Sequence, residues 1–425
     1  MINPTLQLLR DYESRNVTYL AEDGTWPIVW ERAKGVHVWD TDGKKYLDLT
    51  AAFAVAATGH ANPRVTKAAQ QQLAKLPHAM GDVHPHPLKG QLARELSKLT
   101  FERWKRGRGK TIFCNSGFEA VEAALKTALL ATGKKGVIAF EGAYHGLGYG
   151  ALATTHRKHF RNPFKKQLGK FGHFALYPTT ADELAETKKQ IKALFKKHPI
   201  GAILAEPIQG RAGIRVPSPE FIGLLRRLCD RHGALLILDE IYTGLGRTGE
   251  WFACEHAKTF PDLICLGKAL TNGFPLSACV GIAPVMDRAW PESTGEAIHT
   301  STFLGHPVGC AMALAQLREL KDKKLISQAR QRGKQLEKLC KRFPILGARF
   351  VGKGLMVGLA FDEAAGPKVF AVVKDMLRRG FILLPAGEHG NVITFTPSFT
   401  ITQKQLERTL RALQSAFCNP HYDLQ

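Results

Sequence analysis

The chain has 425 residues, 44% of them hydrophobic, which is enough for two domains or for one large domain with a satellite. No apolar run approaches the roughly 18–20 residues that span a bilayer, and the polar opening "MINPTLQLLRDYESRNV" lacks the apolar stretch of a secretory signal. Fifty-nine Lys and Arg against 37 Asp and Glu give a net charge of +22.

That charge raises binding to nucleic acid as one reading. The cations are spread through segments such as "FERWKRGRGK" and "THRKHFRNPFKKQLGKFG" instead of forming one tail, so a generally basic surface is the simpler reading and no nucleic-acid partner is expected. The eight cysteines stand at 114, 229, 254, 265, 279, 310, 340 and 418, with no C-x-x-C pair among them. Buried free thiols of a cytoplasmic protein fit this scatter better than disulfides or zinc.

Residues 26–50 carry β-branched and aromatic runs broken at Lys34-Gly35 and Asp42-Gly43, the pattern of a meander of short strands. Helical periodicity follows at 63–75 and 87–99. The segment "WKRGRGKT" imitates the end of a phosphate-binding P-loop, but Trp104 stands where the first glycine must be.

From about residue 110 apolar strands alternate with amphipathic helices. The predicted strands are Thr111–Cys114, Gly136–Phe140, Ala202–Ala205, Ala234–Leu238, Leu263–Leu266 and Ala278–Ile282. The predicted helices include Gly117–Thr132, Ala181–Lys197 and Pro219–His232. Continuous apolar strands in βα alternation predict an α/β fold, with a mostly parallel sheet covered on both faces. One helix is expected near 307–340. Beyond it, strands (350–361, 381–384, 392–396) mixed with helices (367–379, 402–417) indicate a smaller α+β domain.

In such a sheet, ligands collect at the carboxyl ends of strands. Four ends stand out. "CNSGFEA" runs from a strand into a long helix, whose first N–H groups form an anion site, although Asn and Ser there are ordinarily only caps. Gly142-Ala143-Tyr144-His145-Gly146 offers an aromatic ring and an imidazole. Asp239 closes the apolar run "LLILD", and a desolvated carboxylate needs a partner. Lys268 closes "PDLICLGK", where burial lowers an amine toward a nucleophile. An anion cradle, an aromatic platform, a buried carboxylate and a buried lysine together suit pyridoxal phosphate.

With these blocks in place the chain resembles the class III pyridoxal-phosphate aminotransferases, the group of the acetylornithine, ornithine, 4-aminobutyrate and glutamate-1-semialdehyde enzymes. The resemblance runs over nearly the whole length, through "PIVWERAKGVHVWDTDGKKYLDL", "TGHANPRV", "NSGFEAVEAALK", "YHG", "AEPIQGRAGIRVP", "LDEIYTGLGRTGEWFA", "PDLICLGKAL" and "HTSTFLGHPVGCAMALA". It implies the type I fold of pyridoxal-phosphate enzymes: residues 61–310 as the large cofactor-binding domain, and 311–425 as the small domain joined by residues 1–60. It further implies Lys268 as the catalytic Schiff-base lysine and Asp239 as the partner of the pyridine nitrogen. Tyr144 would stack on the ring, Ser116, Gly117 and Phe118 would form the phosphate loop, and His145, Glu206 and Tyr242 would stand around the cofactor. Thr302 would serve the phosphate of the second subunit in a homodimer.

By the same resemblance, Gly244, Gly246 and Gly249 are not a dinucleotide fingerprint. "DEIYT" separates them from their strand, and they are expected to turn the chain beside the cofactor. Three departures bear on substrate. Phe118 takes a position that often carries Ser or Thr, and Tyr242 a position held by Gln in the ornithine and 4-aminobutyrate branches. Thr394 stands where ornithine-type enzymes place the Arg that grips a carboxylate, while Arg211 stands where they place a Glu. Arg211 is therefore expected either to bind a substrate carboxylate or to turn to solvent, and Phe53 to make the pocket mouth apolar. The activity implied is transfer of an amino group between an amine or amino acid and an oxo acid or aldehyde. A racemase, aminomutase or decarboxylase with the same cofactor, and a non-catalytic cofactor-binding regulator, are the rival readings.

Overall fold

A computed structural model describes residues 3–418. Strands β1 (Trp30–Lys34), β2 (His37–Asp40) and β3 (Lys45–Asp48) form the expected meander, turned at Gly35 and Gly43, both with positive φ. Its core strands follow as β4 (Gly109–Cys114), β5 (Gly136–Phe140), β6 (Gly172–Ala175), β7 (Ile200–Ala205), β8 (Leu235–Asp239), β9 (Leu263–Leu266) and β10 (Ser277–Ile282). These make one seven-stranded sheet in the order β4-β10-β9-β8-β7-β5-β6, with β10 antiparallel to both its neighbours and the other pairings parallel. Strand β6 has no counterpart in the sequence reading, because Gly-His-Phe-Ala is half-buried and carries no continuous apolar run.

The apolar strands serve both faces by their period of two. Leu236, Leu238, Ile264 and Leu266 enter one buried cluster, while Ile237, Leu263 and Cys265 enter another beneath the helix Gly117–Thr132. That helix opens with Glu119, whose carboxylate accepts the N–H groups of Asn115 (2.6 Å) and Ser116 (3.3 Å), and it stops at Gly133 in the left-handed conformation.

Three later expectations are corrected. The single helix near 307–340 is two, Pro307–Asp322 and Leu325–Arg342, broken at Lys324 (φ 51°). The first packs on the helix Pro63–Lys75 and the second on Gln403–Phe417, so tertiary packing overrides a helix-compatible sequence. The strand at 350–361 is a hairpin, β11 (Arg349–Lys353) and β12 (Met356–Ala360), folded by Gly352 and Gly354 at positive φ. The strand at 381–384 divides: β13 (Phe381–Ile382) pairs in parallel with β3, while β14 (Leu384–Ala386) joins β15 (Val392–Phe395) and the hairpin in a four-stranded sheet. The expected boundary between 310 and 311 falls inside the helix Pro307–Asp322.

Candidate active site

The carboxyl ends of β4, β5, β7, β8 and β9 lie along one edge of the large sheet, and each delivers a side chain or loop to one cavity of about 580 Å³. Its walls include Phe53, Phe118, Tyr144, Arg211, Tyr242 and Lys268, with Gly117, His145, Glu206 and Asp239 between them.

Asp239 is 5% exposed. One oxygen meets His145 Nδ1 at 2.8 Å and the other accepts the Ile241 N–H at 3.1 Å. The opposite imidazole nitrogen, Nε2, is buried without a partner among the described residues. Glu206 follows β7, and its two oxygens accept the N–H groups of Tyr144 (3.0 Å) and Gly210 (3.1 Å). Burial pushes its carboxyl up to about 7 against the opposing pull of His145.

Lys268, one residue past Gly267, holds a left-handed backbone (φ 34°) and sets its Nζ 4.7 Å from the centre of the Tyr242 ring. Burial lowers its amine below the usual lysine value, although Asp239 and Glu206 pull the other way. A desolvated amine beside two carboxylates is a nucleophile that one protonation step can switch.

At the helix start, Ser116 Oγ is buried without a partner among the described residues. A Cβ added to Gly117 would stand 3.1 and 3.2 Å from Ile241 side-chain carbons. Phe118 lies across the glycine loop after β5, where a Cβ on Gly146 or Gly148 would fall 2.3 or 2.5 Å from it. At Gly146 the close atom is the Cβ of Phe118 and at Gly148 it is the phenyl ring, so the ring itself requires a glycine at 148. Ile241 and Leu147 also line the cavity, and the sequence reading did not single them out. Their spacing from Asp239 and Tyr144 was the available signal.

The family model described as class III aminotransferase matches residues 18–417. The chain is 37% identical over 410 residues to the 5-aminovalerate aminotransferase DavT of Pseudomonas aeruginosa, covering 92% of this chain and 93% of the relative. It is 35% identical over 396 residues to the acetylornithine aminotransferase of Methanosarcina mazei, covering 92% of each. This chain belongs to the class III aminotransferases. Among solved structures, an amine transaminase from an uncultivated Pseudomonas species in its pyridoxal-phosphate-bound form superposes with a TM-score of 0.84 at 29% identity, over 96% of this chain and 98% of that one.

As a class III aminotransferase the protein has the type I fold and uses pyridoxal phosphate to transfer amino groups. The residues present fit that cofactor. An unspent serine hydroxyl and a helix N-terminus suit a phosphate, the carboxylate of Asp239 suits a ring nitrogen, and the Lys268 amine suits an aldehyde carbon.

Thr302 and Thr394 lie outside the cavity, and Arg211 stands at its rim. Thr302 is exposed and outside this cavity. Thr394 is 7% exposed and donates its hydroxyl to the Leu384 carbonyl at 2.9 Å, so it is satisfied within the four-stranded sheet of β11, β12, β15 and β14. Arg211 is at the mouth: exposed, its guanidinium carbon 5.3 Å from the Tyr144 ring centre, with no carboxylate partner among the described residues. The glycines after Asp239 do not line the cavity. A Cβ on Gly246 would meet Ile326 and Phe399, and one on Gly249 would meet Arg330, so these two admit the helix Leu325–Arg342 and not the cofactor.

Proposed function

We propose that this aminotransferase takes its amino group from a carboxylate-bearing amine, with Arg211 holding the carboxylate and Lys268 moving the proton. The observation that supports this most directly is Arg211 itself, an arginine at the cavity mouth over Tyr144 with no acidic partner among the described residues. A guanidinium offers a carboxylate two parallel hydrogen bonds, and a neighbouring aromatic face keeps its plane oriented. DavT is named for 5-aminovalerate, a donor with its amine and carboxylate at opposite ends, and such a molecule suits an amine-reactive floor with a cationic rim.

Pyridoxal phosphate, when bound, supplies the electron sink that makes the hydrogen next to the donor nitrogen acidic. Lys268 Nζ, free of the cofactor, would take that proton from the donor carbon as base and give it up as acid to the aldehyde-derived carbon of the cofactor. Asp239, oriented by His145, would keep the ring nitrogen of a bound cofactor protonated. Glu206 fixes the Tyr144 loop and the Gly210 loop together, keeping the ring platform and the Arg211 rim in register. Phe53, Phe118 and Tyr242 close the walls, and Ser116 and Gly117 take the phosphate. Homodimerisation, with Thr302 of each subunit completing the other's phosphate site, belongs to the same proposal, as does a cytoplasmic setting.

The test is a panel of amino donors with a 2-oxo acid acceptor. Arg211→Ala should raise KM for carboxylate donors by about 1.5–3 kcal/mol of lost charged hydrogen bonding, and leave simple amines nearly unaffected. Equal losses for both donor types would remove Arg211 from substrate binding. Formation of a new amino acid from the oxo acid separates transfer from racemisation, decarboxylation and mere cofactor binding.

A further inference from the structure

Four consecutive residues without a glycine, Ala51 to Ala54, have φ of 45°, 50°, 60° and 68°, a left-handed helical turn. L-residues visit that region singly and seldom in a row, because the Cβ crowds the next carbonyl. The handedness has an effect on direction. Ala51 and Ala54, each 1% exposed, face the interior, while Phe53 is 57% exposed and lines the cavity.

Such a turn persists only where its surroundings over-determine it. At its start stands Asp48, which is 1% exposed. One of its oxygens accepts the Thr50 N–H and hydroxyl at 2.8 and 2.6 Å, the other accepts the Ala52 N–H at 3.2 Å, and His60 Nε2 lies 2.8 Å away. At its end stands Arg247, wholly buried. Its guanidinium donates to the carbonyls of Ala54 (3.3 Å), Leu355 (3.2 Å) and Pro397 (2.6 Å), and stands 4.7 Å from the centre of the Phe399 ring. Among the described residues no carboxylate pairs with it. Burial pushes its guanidinium down to about 10. A cation is kept in this costly place by carbonyls from three separate segments, which only a flat, five-donor fork can reach at once.

We propose that Arg247 is a positioning residue for substrate specificity: by clamping the left-handed turn Ala51–Ala54 it holds Phe53 against the donor, which it does not itself touch. This rests on reading the cavity as the donor pocket. A lysine at 247 keeps the charge but cannot span three carbonyls, so the turn relaxes and the apolar wall retreats. Donors with a bulky apolar body then lose binding, and small donors do not.

The experiment compares wild type, Arg247→Lys, Phe53→Ala and the double variant as holoenzymes, with two carboxylate-bearing donors, 3-amino-3-phenylpropanoate and the smaller 3-aminobutanoate. Arg247→Lys should raise KM for the phenyl donor about fivefold, with kcat and the small donor within about twofold, and should add nothing in the Phe53→Ala background. Hydrogen exchange of residues 48–58 should quicken in Arg247→Lys. Should Arg247→Lys not fold, Asp48→Asn loosens the same turn from its other end and should give the same donor-selective shift. Unchanged exchange, an equal loss for both donors, or a full effect in the Phe53→Ala background overturns the proposal. Failure of wild type to transfer an amino group from any donor overturns the proposed function instead, and the exchange measurement still decides whether the clamp exists.

Discussion

At Lys268 two influences oppose each other. Burial favours the neutral amine, the charges of Asp239 and Glu206 favour the ammonium, and burial prevails. Because the neutral amine attacks the aldehyde, capture of pyridoxal phosphate by the apoprotein should rise with pH along a limb centred below the ordinary lysine value of about 10.4. Arg211 lowers the amine and Asp239 raises it. Arg211→Met should therefore move the limb to higher pH and Asp239→Asn to lower pH. Stopped-flow capture rates read both shifts, and movement in one common direction would contradict the assignment. Lys268→Ala should still bind the cofactor through phosphate and ring contacts, yet abolish multiple turnover. Retained turnover in steady-state assays would end the proposed role.

At the level of elements, the loop after β7 and the loop after β8 are packed to contact. A Cβ on Gly210 would stand 2.1 Å from Tyr242 Cδ1, and Tyr242 is the ring under the Lys268 amine. Gly210→Ala should displace that ring and lower kcat/KM by about 10²-fold with little change in Tm, since misplacement near 1 Å at reacting groups has that effect. Loss of folding without a specific loss of activity would show that the contact is only structural. These contacts also show what a sequence read alone can and cannot supply. Asp239 and Lys268 were legible because each ends a continuous apolar strand, and a charged residue there is conspicuous. The strands β7, β8 and β9 were legible for the same reason. Ile241 and the fit of Phe118 over Gly146 and Gly148 were not, since nothing in an isoleucine or a glycine reports what lies across a loop. The break at Lys324 was hidden because its cause is the direction of two partner helices. The turn at Ala51–Ala54 was hidden because alanine favours a right-handed helix.

Across the whole molecule, the exposed Thr302 lies outside the cavity of its own chain. If it serves a neighbouring subunit, mixing inactive Lys268→Ala protomers with inactive Thr302→Ala protomers should restore part of the activity, because exchanged dimers gather both defects at one site and leave the other intact. No recovery after exchange verified by mass would count against shared sites. The parallel pairing of β3 with β13 has a further consequence, for synthesis. Leu47 donates to the Gly380 carbonyl at 2.8 Å and Leu49 to the Ile382 carbonyl at 3.0 Å, so an edge formed among the first fifty residues finds its partner only after more than three hundred others have left the ribosome. Until then the meander presents an unpaired edge to other nascent chains, the kind of surface that recruits chaperones or nucleates aggregates. Chains ended before residue 380 should therefore pellet during translation, and chains extending past β13 should remain in the supernatant.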